Sequence, residues 1–378
     1  MKIVIAPDSF KESLTALDVA QSIESGFRRI FPDAQYIKIP MADGGEGSVQ
    51  SLIDATNGEL LGVEVTAPLG NRVSGFLGIS GDRQTAFIEM AAASGLHLVP
   101  IAQRNPLRTT SLGTGELIKK ALDLGVKKIL LGIGGSATND AGVGMLQALG
   151  FSFKNAKGEE IGFGAEQLQH ISQVSLENVD SRLNDVEFEV ACDVNNPLCG
   201  EYGASSVFGP QKGATPAMVK TLDKALAHFA DVALAQLGVA IAGRAGAGAA
   251  GGMGGGLLLL PNVVLKSGVQ IMIEATCLTE HIKQADLVIT GEGRMDAQSI
   301  AGKTPIGVAK VAKRFNVPVI AIVGSLREDY GVVYQYGIDA VFPIIRQVSS
   351  VEETLNQGRE NLLSCAENVA RLMKLKMP

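Results

Sequence analysis

DLVITGEGRMDAQSIAGKTP, residues 286–305, opens as a short β-branched run and becomes a loop carrying Glu292, Arg294, Asp296 and Lys303 among three glycines. It reads as the carboxyl end of a buried strand feeding a ligand-binding loop, the place where open α/β sheets put their chemistry. Glycine lets backbone N–H groups approach an anion, a carboxylate can hold Mg²⁺, and Arg and Lys neutralise phosphate oxygens. The combination points to a phosphorylated ligand with a metal. Four further apolar runs end the same way: KIVIAP in DSFK at 8–11, YIKIPM in ADGGEG at 42–47, KKILLGI in GGSATNDAG at 134–142, and FEVA in CDVNN at 192–196. Turns and helix caps use the same residue types, but five acid-bearing loops at five strand exits form a pattern.

The two chain ends alternate strand and helix: strand 2–6, helix 14–30, strand 36–40 and helix 46–56, then strands 287–290, 317–323 and 340–344 separated by helices near 304–314 and 328–336. A helix over 351–373 closes the series. Such alternation builds a parallel sheet covered on both faces. The middle differs, with strands 62–66, 72–80 and 85–90 following one another before a helix-strand-loop-helix unit over 114–149, a strand 187–191 and a helix 218–237. The expected fold is α/β with two domains: a Rossmann- or flavodoxin-like parallel sheet from residues 1–62 and 271–378, and a mixed α/β insert over 63–270. A chain of 378 residues fits two cores better than one. The glycine-dense AGRAGAGAAGGMGGG, residues 242–256, reads as a loop wrapped closely against another part of the chain, as a wall of the nucleotide cleft.

Composition narrows the function. The net charge of −6 is dispersed, with no Lys/Arg block, which argues against a nucleic-acid partner. Four separated cysteines make neither a zinc site nor a disulfide framework, and no apolar stretch reads as a signal peptide or membrane span; a cytoplasmic protein without a membrane partner is expected, with a homodimer as the one assembly allowed for. There is no G-x-x-x-x-G-K-[ST], no G-x-S-x-G elbow and no protein-kinase signature set. GAGAAG at 246–251 meets the dinucleotide spacing by composition alone, without a strand before it.

Phosphoryl transfer needs positioning, charge neutralisation, a metal and a group to take the acceptor's proton. Lys11 and Lys303 are candidates for phosphate; Asp43, Glu46, Glu292 and Asp296 for Mg²⁺; and Asp193, flanked by Asn195 and Asn196, for the base. Plainer roles are open to the same residues: Lys303 as a solvated cation, Asp296 as a helix cap, Asp193 as a turn former, Glu46 as a first-turn acid.

APDSFKESLTA, MADGGEG, GGSATNDAGVGML, ACDVNNPL, GAAGGMGGG and ITGEGRMDAQSIAGKTP, in this order and spacing, resemble the bacterial glycerate kinases along essentially the whole chain. The single departure is Glu12, where glycine is more usual. The resemblance implies a two-domain α/β enzyme with a cleft between domains, using ATP and Mg²⁺ to phosphorylate D-glycerate, at the 2-hydroxyl in preference to the 3-hydroxyl. A small-carboxylate acyl-phosphate kinase and a non-enzymatic ligand sensor are the rival readings. Asp193, Asp43 and Lys11 then stand as the catalytic set. Asp8, Ser9, Gly44, Gly45, Gly134, Gly135, Ser136, Asn139, Asp140, Asn195, Arg294 and Lys303 form the substrate and phosphate set, and Glu292, Asp296 and Glu46 the metal set. Arg72 and Arg108 are outside candidates for the substrate carboxylate.

Overall fold

A computed structural model of the chain describes residues 1–45 and 47–375. The chain divides into two compact units, one of Met1–Asp43, Gln50–Asn57 and Val269–Pro378, the other of Gly44–Val49 and Gly58–Gly268.

In the first unit five strands lie in the order Ala340–Pro343, Val319–Val323, Leu287–Thr290, Lys2–Ile5, Gln35–Lys38, every neighbouring pair parallel. Counted along this unit the order is 2-1-3-4-5, the flavodoxin-like doubly wound arrangement, whose ligand crevice opens between the first and third strands. Those two are Lys2–Ile5 and Leu287–Thr290. Both are buried along nearly their whole length, which is why KIVI and LVIT read as continuous apolar runs. Ile3, Ile5, Leu287 and Ile289 pack on one side with Val19, Ile23 and Phe27 of helix Ala16–Arg28 and Leu362, Ala366 and Val369 of helix Gly358–Lys374. Helix Thr304–Lys313, with Ile306, Val308, Ala309 and Ala312 buried, contacts strand Leu287–Thr290 as well. The closing helix of the sequence reading is two helices, Val351–Asn356 and Gly358–Lys374, and the expected helix near 328–336 is a 3₁₀ stretch, Glu328–Tyr336.

The second unit holds a six-stranded mixed sheet. Strands Val263–Lys266, Glu187–Ala191, Lys128–Gly132 and Thr85–Glu89 run parallel, and Arg72–Ile79 and Glu59–Thr66 continue the sheet antiparallel. The antiparallel pair is the strand-after-strand region of the sequence; Gly62 lies inside it, opposite Phe76. Strand Val263–Lys266 has no counterpart in the sequence reading; it is only four residues at the sheet edge, although Pro261-Asn262 and Ser267-Gly268 bound it. The core gathers Phe153, Phe188, Phe229, Leu117, Ile129 and Leu131. Among the described residues no helix is long and apolar enough to cross a membrane.

Candidate active site

At the crevice of the first unit, the loops leaving the first and third strands carry Asp8 and Glu292. The Asp8 carboxylate accepts from the Ser9 N–H at 2.7 Å and from the Thr304 hydroxyl at 2.7 Å. Thr304 is the first residue of a helix with Pro305 in its opening turn, so Asp8 faces a helix N-terminus, where anions are favoured. Even so, burial, then Asp43, then Glu292 push the Asp8 carboxyl up to about 6, against the lowering effect of its hydrogen bonds. Glu292 is buried; burial raises its carboxyl, opposed by the Ser299 hydroxyl, which donates to it, and by Lys303, whose Nζ lies 3.4 Å away. Three acids, one lysine and a helix N-terminus therefore converge here.

Asp296 caps the 3₁₀ turn Ala297–Ile300, accepting from the Gln298 N–H at 2.9 Å, with Arg294 Nε at 3.3 Å from its other oxygen. Arg294 and Lys11 are exposed, and Glu46 lies outside the described residues. Among the described residues no three His, Cys, Asp or Glu side chains gather into a metal site by themselves. Mg²⁺ does not require one, since it binds through one or two carboxylates plus substrate phosphates and keeps its waters. The raised carboxyls of Asp8 and Glu292 are groups whose charge a cation would relieve, so the donor set fits that metal.

The second unit collects the remaining motifs at the carboxyl ends of its parallel strands. Gly44 has φ +87°, and a Cβ there would stand 2.7 Å from the Ala191 Cβ; Gly45 lies alongside Gly134. Asp193, two residues beyond the strand that ends at Ala191, is exposed and accepts from the N–H of Gly268, the first residue of helix Gly268–Ala275. Gly134, Gly135 and Asn195 are exposed, while Ser136 is buried. Asn139 and Asp140, expected to face a ligand, instead point inward: they are 0% and 2% exposed. Asn139 donates to Ser205 at 3.0 Å, and Asp140 accepts from the Ser111 N–H and hydroxyl and from the N–H groups of Gly142 and Gly144. They brace the loop from behind. Arg72 is similarly occupied, 2.8 Å from Glu116.

The glycine-dense segment explains itself by the same loop. A Cβ on Gly251, which has φ +70°, would lie 2.0 Å from the Thr138 carbonyl oxygen. Residues 246–249 and 251–257 are buried, so this part of the segment backs GGSATNDAG, while 242–245 are exposed.

Sequence reading missed Lys212. It is 1% exposed, and its amine donates to Ser136 Oγ at 2.7 Å and to the Thr138 carbonyl at 2.6 Å. Burial pulls its pKa down to about 7 against the attraction of Asp140. In GPQKG it looks like a surface turn, and no local signal marks it. Thr304 had a signal, a Thr-Pro pair opening a helix.

The glycerate kinase family model matches residues 3–374. A "Glycerate kinase" of Haemophilus influenzae is 66% identical, with 100% of both chains covered. A "Glycerate 2-kinase" of Escherichia coli K12 is 54% identical over 100% of this chain and 99% of that one. The crystal structure of a candidate glycerate kinase 2 from Salmonella typhimurium LT2, 54% identical, superposes with a TM-score of 0.93 over 99% of this chain and 98% of that one. The chain belongs to the glycerate kinase family and is a phosphotransferase.

Proposed function

We propose that the protein is an ATP- and Mg²⁺-dependent kinase that phosphorylates D-glycerate at the 2-hydroxyl, in the cytoplasm. The observation that carries it is the convergence of Asp8, Asp43, Glu292 and Lys303 on a helix N-terminus at the crevice of a 2-1-3-4-5 sheet. Phosphoryl transfer asks a protein mainly for such charge placement. Glu292 and Asp8 would hold Mg²⁺, with Asp296 next to them. Mg²⁺ held there would supply charge neutralisation to the phosphate oxygens. Lys303 and Lys11 would add positive charge for the same oxygens. The two compact units are taken as the two domains of the enzyme.

Asp193 is our first choice for the group that accepts the proton of the acceptor hydroxyl, and Asp43 the second. The N–H groups of Gly134 and Gly135, with Arg294 and Asn195, are assigned to the anionic ends of the substrates. The name of the E. coli relative, glycerate 2-kinase, favours the 2-hydroxyl.

The test is ATP turnover with D-glycerate and Mg²⁺, the product being passed to enolase alone and, separately, to phosphoglycerate mutase followed by enolase. Direct conversion by enolase is expected. Conversion only after the mutase makes the enzyme a 3-kinase, a product trapped by hydroxylamine makes it an acyl-phosphate kinase, and the absence of glycerate-dependent ADP removes the substrate.

A further inference from the structure

The first unit also contains a cavity of about 640 Å³ that none of these roles occupies. Phe10, Gly293 and the buried Ile344 line it together with the exposed Lys11, Ile345 and Arg346, and no carboxylate lies among its lining residues. Its volume is that of a small-molecule site, mostly apolar with a few polar groups. Its position is equally specific. Phe10 and Lys11 come just after Asp8, Gly293 after Glu292, and Ile344 after strand Ala340–Pro343, so the cavity opens at the carboxyl ends of the strands. Gly293 and Lys11 are close neighbours: a Cβ on Gly293 would lie 3.4 Å from the Lys11 backbone nitrogen. Cavity and carboxylate cluster are thus built on the same two loops. Arg346 is held in place by its Nε, which donates to the buried Asn361 at 2.6 Å.

We infer that this cavity takes the nucleoside portion of the phosphoryl donor, base and ribose, with the polyphosphate passing Lys11 toward Asp8 and Glu292. The assignment rests on the function proposed above. A flat base with apolar faces suits Phe10, Ile344 and Ile345, and Lys11 suits the polyphosphate that leaves the cavity, while Arg346 is paired with Glu360 at 3.9 Å. A three-carbon hydroxy acid would leave most of the volume empty.

Photolabelling the full chain with 8-azido-ATP and Mg²⁺, with tryptic mapping of the product, tests the assignment without turnover. Label on peptides 3–11, 328–346 or 347–359 that excess ATP prevents is expected; label confined elsewhere overturns the assignment. In calorimetry, Ile345→Glu, a change at a 47% exposed side chain, should weaken Mg·ADP binding at least tenfold and move D-glycerate binding less than twofold. Unchanged Mg·ADP affinity, or equal loss of both ligands, overturns it. Label at the cavity without any phosphorylation of D-glycerate would keep the nucleoside site and remove only the acceptor.

Discussion

Lys212→Met replaces a buried amine by an apolar chain of similar length, and its effect should depend on pH in a way the structure fixes. In an unfolded chain the amine titrates at 10.5; burial lowers it to about 7 in the fold. Unfolded chain therefore binds the proton more tightly, so this group's contribution is fully present above 10.5 and is lost as pH falls to 7. Where the native amine is neutral and the unfolded one charged, the slope is roughly 1.4 kcal/mol per pH unit. Between pH 7 and pH 9 wild type should gain about 2–3 kcal/mol relative to Lys212→Met. Loss of the donors to Ser136 and Thr138 adds a cost of about 1–3 kcal/mol, part of which varies with pH through the strength of those bonds. Urea unfolding monitored by far-UV circular dichroism suits a chain without Trp. Parallel stability profiles for the two proteins from pH 6.5 to 9 would refute the claim that burial shifts this amine.

Glu292→Gln and Asp8→Asn should each lower kcat roughly 10²- to 10³-fold with an unchanged far-UV spectrum, if they hold the metal and its phosphates; near-normal turnover removes the residue from the site. Chelating Mg²⁺ should abolish turnover, and readdition should restore it. Gly251→Ala should destabilise by about 3 kcal/mol, because a left-handed backbone and a carbonyl 2.0 Å away both oppose a Cβ; a melting temperature equal to wild type would show that the backing segment yields. Glu12→Gly should stabilise by roughly 0.5–1 kcal/mol, since Glu12 has φ +62°, and a lower melting temperature would contradict that.

Strand exits are legible in the sequence because fully buried parallel strands are written as unbroken apolar runs, and the residues after each run must turn in the open. Residue type at those exits is readable too, as Asp8, Glu292 and Lys303 show. Direction is not. Asn139 and Asp140 sit in the same kind of loop as Gly134 and Gly135, yet they face inward because Ser205 and Ser111, distant in sequence, supply their partners. Lys212 has no local signature, since only the packed loop around Ser136 and Thr138 makes it an interior residue. Glycine density at 242–256 announces close approach, but its partner, the Thr138 carbonyl, is a long-range contact. Strand order is also beyond the pattern: alternation implies parallel strands, while 2-1-3-4-5 depends on which crossover passes over which face.

Left-handed non-glycine residues also occur in other loops, at Arg83 and Cys277 for example, with φ of 59° and 50°, but some of the groups that violate local rules cluster near the proposed site. Asp8 and Glu292 carry carboxyls raised by burial, and Ala141 and Ala250 adopt left-handed φ values of 53° and 54° within or behind the GGSATNDAG loop. All four belong to the loops that carry, or back, the proposed chemistry, where strain and unfavourable charge persist because the surrounding fold enforces them. Glu12 breaks the same backbone rule, but its side chain is exposed and only one residue separates it from the cavity-lining Phe10. If the strain at Ala141 and Ala250 serves to shape the loop, glycine at those positions should raise stability while lowering kcat. At Glu12 the same substitution should raise stability and leave kcat intact. Equal kinetic effects at all three positions would mean that the left-handed residues are incidental to the site.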